Sequence, residues 1–432
     1  MKVLPRSLNW INRDAGLIIA ARGIRTFAQG YVAVLIAIYL TALGFSLVQI
    51  TVLLSVGVIG VSFFAFLVGL IVGKVGRKAL LIFFSLTSAS AGLALVFIDN
   101  FPVLLLVAFC GSLSTGGGGG GESPAQPLEV ASLPDTAPDE RRTDLFAIYN
   151  IVARSGAAFG ALAAGLPHLY QGTFTLTEVD AIRVMFLAFA ILQIIGAALY
   201  SLLSTRIEGP PTQRRWSNPL KLPSRRRIFT LTGLFSVDTF TTSMVTQSLI
   251  AYWFSTKFGM ELGTLALVFF ASQSLTAASL WVAAKIANRI GLLNTMVFTH
   301  IPSSLFLIAA AFAPTAWLAV VFWQLRSFLG QMDNPTRDSY TMAIVGPEER
   351  VAMASMHMVG RNALGAAGPL ATGALWSMLS ATVPLVGSSI LKISYDLSLY
   401  AMFRNVRPPE EVARRQRRAA AKADPASSEP TI

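Results

Sequence analysis

Six charged residues stand isolated inside long apolar stretches: Arg25, Glu122, Arg154, Asp238, Asp333 and Arg361. Charges of both signs in such surroundings suit two kinds of chemistry. They can hold the polar groups of a bound solute, and a carboxylate whose neighbours change can take up and release a proton. Covalent catalysis needs other sets of residues. No GxSxG or HExxH pattern occurs, and His168, His300 and His357 lie far apart. The single cysteine, Cys110, falls in an apolar stretch, which excludes a disulfide framework and a thiolate metal cluster. The run Gly116–Gly121 is not followed by Gly-Lys-Ser/Thr, so it is no phosphate loop. No enzyme, metal site or cofactor is expected.

The elements that must carry these charges follow from composition. Of 432 residues 54% are apolar and only 13% charged, with a mean hydropathy of +0.61. Soluble domains carry about 25% charged residues, so lipid is the expected solvent. Crossing a hydrocarbon core of roughly 30 Å takes about 20 helical residues. Stretches of that size fall near 15–40, 47–72, 79–98, 102–132, 144–167 and 180–204. After a basic segment, six more fall near 228–254, 262–286, 293–313, 316–345, 350–378 and 384–403. The reading is an all-α membrane protein with twelve transmembrane helices. Residues 1–14 form a cytoplasmic N-terminus, 15–204 a first six-helix bundle, 205–227 a basic linker, 228–403 a second bundle, and 404–432 a tail expected to be disordered.

The net charge of +12 resides largely in loops. With the N-terminus in the cytoplasm, about 25 of the 34 Lys and Arg residues fall on that side. The asymmetry places both termini and the 205–227 linker in the cytoplasm of a multi-pass protein of the plasma (inner) membrane. The basic residues are thus topology signals, and no nucleic-acid partner is implied.

Counted from the cytoplasmic end of its own helix, each of the six charges lies about 9 to 12 residues in, or roughly 14–18 Å at 1.5 Å per residue. Each would cost about 2.5–3.5 kcal/mol facing lipid at a helix centre, and six together would exceed the usual stability of a domain. They must face one another or a water-filled cavity. Arg337 and Asp338 lie one turn nearer the cytoplasm, as a gating pair or as binding residues. Arg22, one turn below Arg25, is expected to reach toward headgroups. Lys392 and Asp396, spaced i,i+4, are expected to pair within one helix.

The halves repeat one another. Gly23–Gly30 and Ser236–Ser243 share a Thr-Phe in register, which sets Arg25 opposite Asp238 in the alignment. Glu122-Ser-Pro124 matches Asp333-Asn-Pro335, and the loops ending at Arg141 and Arg350 match as well. Downstream, Val152-Ala-Arg154 matches Val359-Gly-Arg361. Two six-helix halves of the same orientation form a parallel repeat.

On these residues the chain resembles the major facilitator superfamily. The loop Gly69-Leu-Ile-Val-Gly-Lys-Val-Gly-Arg-Lys78 is similar to the family signature Gly-x-x-x-Asp-Arg-x-Gly-Arg-Lys/Arg, with a degenerate copy at Lys285–Gly291. Gly73 stands where the family usually has Asp, and Lys74 where it has Arg. The family's antiporter arginine is missing from helix four, and Arg326 occupies the equivalent place in helix ten. The resemblance spans roughly residues 15–404 and implies two bundles rocking around a central cavity. It implies a conformational role for Gly69, Lys74, Gly76, Arg77 and Lys78, and it places helices one, four, seven and ten around the cavity.

The expected function is secondary active transport of a small solute by a monomer, with protons as a candidate coupling ion. The three midplane arginines favour an anionic or zwitterionic solute. Broad-specificity drug efflux and a non-transporting receptor or scaffold of the same fold are the alternatives. Substrate binding or coupling is expected at Arg25, Glu122, Arg154, Asp238, Asp333 and Arg361.

Overall fold

The computed structural model describes residues 11–111, 123–136, 142–174, 176–208, 225–332 and 350–404. Among these residues the regular structure is entirely helical. The first half comprises α1 (Arg13–Ala42), α2 (Leu47–Val75), α3 (Arg77–Phe97), α4 (Phe101–Gly111), α5 (Gln126–Ser132), α6 (Arg142–Ala163), α7 (Leu166–Phe174) and α8 (Glu178–Ser201). Tight turns follow α5 at Leu133–Thr136 and α8 at Thr205–Glu208. The second half comprises α9 (Arg225–Met244), α10 (Gln247–Phe258), α11 (Leu262–Ile290), α12 (Leu292–Ala311), α13 (Ala316–Leu329), α14 (Arg350–Met378) and α15 (Thr382–Phe403).

Local chemistry sets the helix ends. Asn12 caps α1 by accepting from the Ala15 amide at 2.8 Å. Ser46 and Gln49 form a reciprocal capping box that starts α2. Between α2 and α3 the chain turns at Gly76 with φ 89°, and between α11 and α12 it turns at Gly291 with φ 96°. Both conformations favour glycine.

Seven helical segments among the described residues are long and apolar enough to cross a membrane, and α4 and α13 are shorter apolar helices. Phe66, Leu106, Leu187, Ile191, Ile194 and Ile390 are all exposed. Such a surface is unfavourable in water and matched by hydrocarbon.

Several apolar stretches differ from expectation in detail. The stretch 228–254 is interrupted at Val245–Thr246, where α9 ends and α10 begins. Thr246 caps the new helix, accepting from the Leu249 amide. On α14, Thr372 donates to the Met244 carbonyl at 2.7 Å, so the interruption leaves that buried acceptor satisfied. The stretch 144–167 ends at Ala163, and a separate α7 starts at Leu166. Of 102–132 only the two ends are described, as α4 and α5. Of 316–345 only α13 and a following turn are described.

Within the first half, α1 packs along α6 and α8, and α3 along α8. Within the second, α9 packs along α14 and α15, and α12 along α15. The halves meet chiefly through α2 with α14, α6 with α11, and α1 with α10. Ser248 donates to the Ala33 carbonyl at 2.7 Å, Phe159 meets Phe270 with ring centroids 5.7 Å apart, and Gly373 abuts Thr51. These contacts gather toward the end where α1 finishes and α2 begins.

Candidate functional site

Close backbone approach positions the first-half charges. Gly156 and Gly160 of α6 face Gly23, Thr26 and Phe27 of α1, and a Cβ at Gly160 would collide with the Phe27 carbonyl. Small residues allow such contact between transmembrane helices. The approach sets Tyr149 of α6 beside the arginines of α1, where α5 and α8 also converge.

Their meeting point is Glu129 of α5, which is fully buried. Arg25 donates to both of its oxygens, Nη1 to Oε1 at 2.9 Å and Nη2 to Oε2 at 2.7 Å. Tyr149 donates to Oε2 at 2.6 Å, and Tyr200 of α8 donates to Oε1. Arg22 lies 3.9 Å from the same carboxylate, with its guanidinium over the Tyr149 ring at 5.1 Å. Bidentate, charge-assisted contacts of this kind are the strong class of hydrogen bond. They offset the cost of burying the ions only because the carboxylate is so fully engaged.

The second half is built differently. On α14, Gly360, Gly365 and Gly368 face Thr232, Ser236, Thr239 and Ser243 of α9. Beside this seam Arg361 Nε donates to Thr239 Oγ1 at 2.9 Å. On the other side of α9, Asp238 receives Lys392 of α15, whose Nζ lies 2.5 Å from Oδ1. One turn along α15, Asp396 faces His300 of α12, with Nδ1 3.0 Å from Oδ1 and both side chains fully buried. A cavity lies between α9, α12, α13 and α15. Thr241, Thr242, Ser304, Arg326, Gln331 and Lys392 are among its lining residues.

The loop after α2 braces the first half. Glu208 accepts from the backbone amides of Arg77 at 2.5 Å and Lys78 at 3.2 Å, at the N-terminus of α3 where negative charge is favoured. Arg77 Nη1 donates to the Ile207 and Ala131 carbonyls, and Lys78 Nζ to the Leu203 carbonyl. Lys74 is exposed. A side chain at Gly76 would meet the Glu208 carboxylate at 2.9 Å as well as a strained φ.

The six expected midplane charges do not form one cluster among the described residues. Arg25 and Asp238 find partners within their own halves, Arg154 is half-buried on α6, and Arg361 reaches α9. Glu122, Asp333, Arg337, Asp338 and the Gly116–Gly121 run lie outside the described residues. Two expectations are corrected. Arg22 does not reach toward headgroups: it is 2% exposed, drawn in by Glu129 and Tyr149. Lys392 and Asp396 do not pair with each other, because α15 turns them toward Asp238 and His300.

Glu129, Tyr149 and Tyr200 were not anticipated. Glu129 lies near the end of its apolar stretch, too shallow for a depth count to select. Helical side chains lean toward their own N-terminus, so Arg25 reaches down α1 to meet it. The available signal was an acid inside an apolar stretch: Glu129 is the one charged residue between Glu122 and Asp135 in the sequence.

Apolar helices, buried ion pairs and a polar cavity inside a helical bundle define a membrane transport protein, not an enzyme. The chain belongs to the Major Facilitator Superfamily, whose family model matches residues 18–369. It is 23% identical over 427 residues to the "Uncharacterized membrane protein YJR124C" of Saccharomyces cerevisiae, covering 91% of this chain and 95% of that protein. Solved structures share the fold. The nucleoside transporter NupG has a TM-score of 0.70 at 14% identity, covering 90% of this chain and 98% of NupG. The POT family transporter PepTSo has 0.71 at 13%, covering 93% and 99%. A bacterial homolog of the human lysosomal transporter Spinster, in an inward-facing state, has 0.68 at 14%, covering 92% and 98%.

Proposed function

We propose that the chain is a secondary active transporter carrying a small anionic or zwitterionic solute by alternating access. The observation that carries this reading is the placement of its ionic contacts. The buried pairs Arg25–Glu129, Asp238–Lys392 and His300–Asp396 each lie within one half. Across the halves the described contacts are small residues, aromatic rings and a hydroxyl bond. One exposed ion pair, His168–Glu261 at 3.9 Å, also crosses. Halves knit internally by ions and joined by neutral surfaces can rock without breaking a buried pair. The corresponding packing of α1 with α6 and α9 with α14, and the matching turns at Gly76 and Gly291, support two repeated six-helix units, 15–204 and 228–403.

In this reading twelve helices cross the plasma (inner) membrane, with 1–14, 205–227 and 404–432 cytoplasmic. The cross-half contacts then close the outer side, which makes this the inward-facing state. Arg25, Arg154, Asp238 and Arg361, with Glu122 and Asp333, line or control the solute path. Glu122 and Asp333 are the proton carriers, Arg337 and Asp338 the gating pair, and Gly69, Lys74, Gly76, Arg77 and Lys78 the conformational loop.

The test is uptake into proteoliposomes under an imposed pH gradient, with a solute panel that includes nucleosides and peptides alongside organic acids. Accumulation that the gradient drives in the parent, and that Glu122→Gln or Asp333→Asn weakens, is expected. A parent indifferent to the gradient ends the proton-coupled reading, and a parent that moves none of the panel ends the transport reading for those classes. Labelling of a cysteine at position 217 from outside intact cells would refute the orientation.

A further inference from the structure

The cavity in the second half contains two cations of unequal standing. Lys392 is occupied: its Nζ lies 2.5 Å from Asp238 Oδ1 and 3.5 Å from Thr242 Oγ1. Arg326 is not. Its guanidinium sits 4.7 Å from the centre of the Trp323 ring, and among the described residues no hydrogen bond or ion pair reaches its side-chain nitrogens. It lies ten residues into α13, roughly 15 Å from that helix's start at 1.5 Å per residue.

A second donor shares the cavity. Ser304 is 3% exposed, and its hydroxyl has no hydrogen-bond partner among the described residues. Ser303, Ser388 and Ser389 line the same space but already donate to backbone carbonyls. A forked cation and a hydroxyl thus line the cavity with no hydrogen-bond partner for either among the described residues. Arg326 is partly open to this space, and an arginine inside an apolar bundle without a counter-ion carries a cost that a neutralising group offsets only when bound.

We propose that this cavity is the subsite for the carboxylate of the transported solute, with Arg326 as its anchor and Ser304 as a second donor. The proposal rests on the transport reading and names the substrate class. Three features select a carboxylate. The fork of Arg326 matches a planar, bidentate acceptor. Among the described residues two cations line the cavity, Arg326 and Lys392, and Lys392 is already engaged by Asp238, so Arg326 is the charge left for one carboxylate to meet. A phosphate dianion would bring a second negative charge to that single cation. The cavity is also small, about 360 Å³ with its open mouth included, which suits a compact acceptor.

The test uses the full chain in detergent. Acetate, pyruvate and benzoate are the probes, inorganic phosphate and sulfate the controls, and the readouts are thermal unfolding and equilibrium binding. The monocarboxylates are expected to raise the apparent Tm of the parent, while phosphate and sulfate leave it in place. Arg326→Leu should abolish the response, yet melt no lower than the parent without ligand, because it removes an uncompensated cation. Ser304→Ala should keep the response with affinity reduced about tenfold or less, as for one hydrogen bond. Four results would overturn the proposal: an equal response in Arg326→Leu, a ligand-free Arg326→Leu that melts well below the parent, a response to phosphate or sulfate alone, or none to any probe. Uptake assays separate this from the transport reading. Transport of a nucleoside without carboxylate binding sinks the subsite alone. Arg326-dependent carboxylate binding without any uptake sinks the transport reading and leaves the binding site.

Discussion

In the first half one carboxylate, Glu129, serves two arginines and two tyrosines. In the second half Asp238 receives Lys392 and Asp396 faces His300, and no hydrogen bond or ion pair reaches the Arg326 guanidinium among the described residues. Both halves hold charge deep in an apolar bundle, but with different consequences. A hub whose acceptor on α5 is engaged from three other helices has no spare contact to exchange, so it fixes the four relative to one another. Separate pairs and an unmatched cation leave contacts to be made, so the second half is the one poised to respond to a ligand.

That contrast can be broken most forcefully at Glu129. Glu129→Gln keeps the shape and removes the charge, leaving Arg25 buried opposite a neutral amide. The expected loss is about 3–5 kcal/mol, read as a lowered apparent Tm and reduced yield of folded protein. Arg25→Leu combined with Glu129→Leu should recover most of it. A Glu129→Gln protein that melts with the parent would mean the hub is not what holds α1, α5, α6 and α8 together.

Asp238→Asn is the matching change in the second half. Lys392 keeps partial access to the cavity, so the expected cost is smaller, about 2–3 kcal/mol. A double-mutant cycle with Lys392→Met measures the coupling directly. If the loss equals or exceeds that of Glu129→Gln, the two halves do not differ as described.

Tyr149→Phe removes one donor of four and sharpens the hub reading. It should cost about 1 kcal/mol in thermal unfolding, with no change in the Asp238–Lys392 coupling. The smallest effect is expected at the exposed cross-half pair. Glu261→Gln should change stability by less than about 1 kcal/mol, and a large loss there would contradict the neutral interface between the halves.

Much of the helical framework was legible because lipid leaves a chain so few options. Eight of the twelve apolar stretches return as single helices with similar ends, and the basic signature loop returns as the tight turn at Gly76. The interruption at Val245–Thr246 was not legible, because Thr239, Thr241, Thr242, Ser243 and Ser248 surround it and the capping hydroxyl of Thr246 looks like any of theirs. Which charges meet was harder still. Sequence spacing suggested that Lys392 and Asp396 pair, yet i,i+4 neighbours on a helix can each be claimed by a different adjacent helix. Depth alone selected Arg25 and passed over its partner, because side-chain lean and length decide contacts at this scale. Glu122 and Asp333, central to the sequence reading, lie outside the described residues.

The interruption between α9 and α10 also has a mechanical meaning. Bending an intact helix sacrifices hydrogen bonds along its convex side, but here the ladder is already parted and Thr372 of α14 holds the Met244 carbonyl instead. Swinging α10 about Val245 therefore costs chiefly torsion, with a neighbouring helix keeping the joint satisfied through its stroke. Because α10 also touches α1 through Ser248 and Ala33, a swing at this joint would shift the contact between the halves while leaving α9, with Asp238 and its lysine, in place.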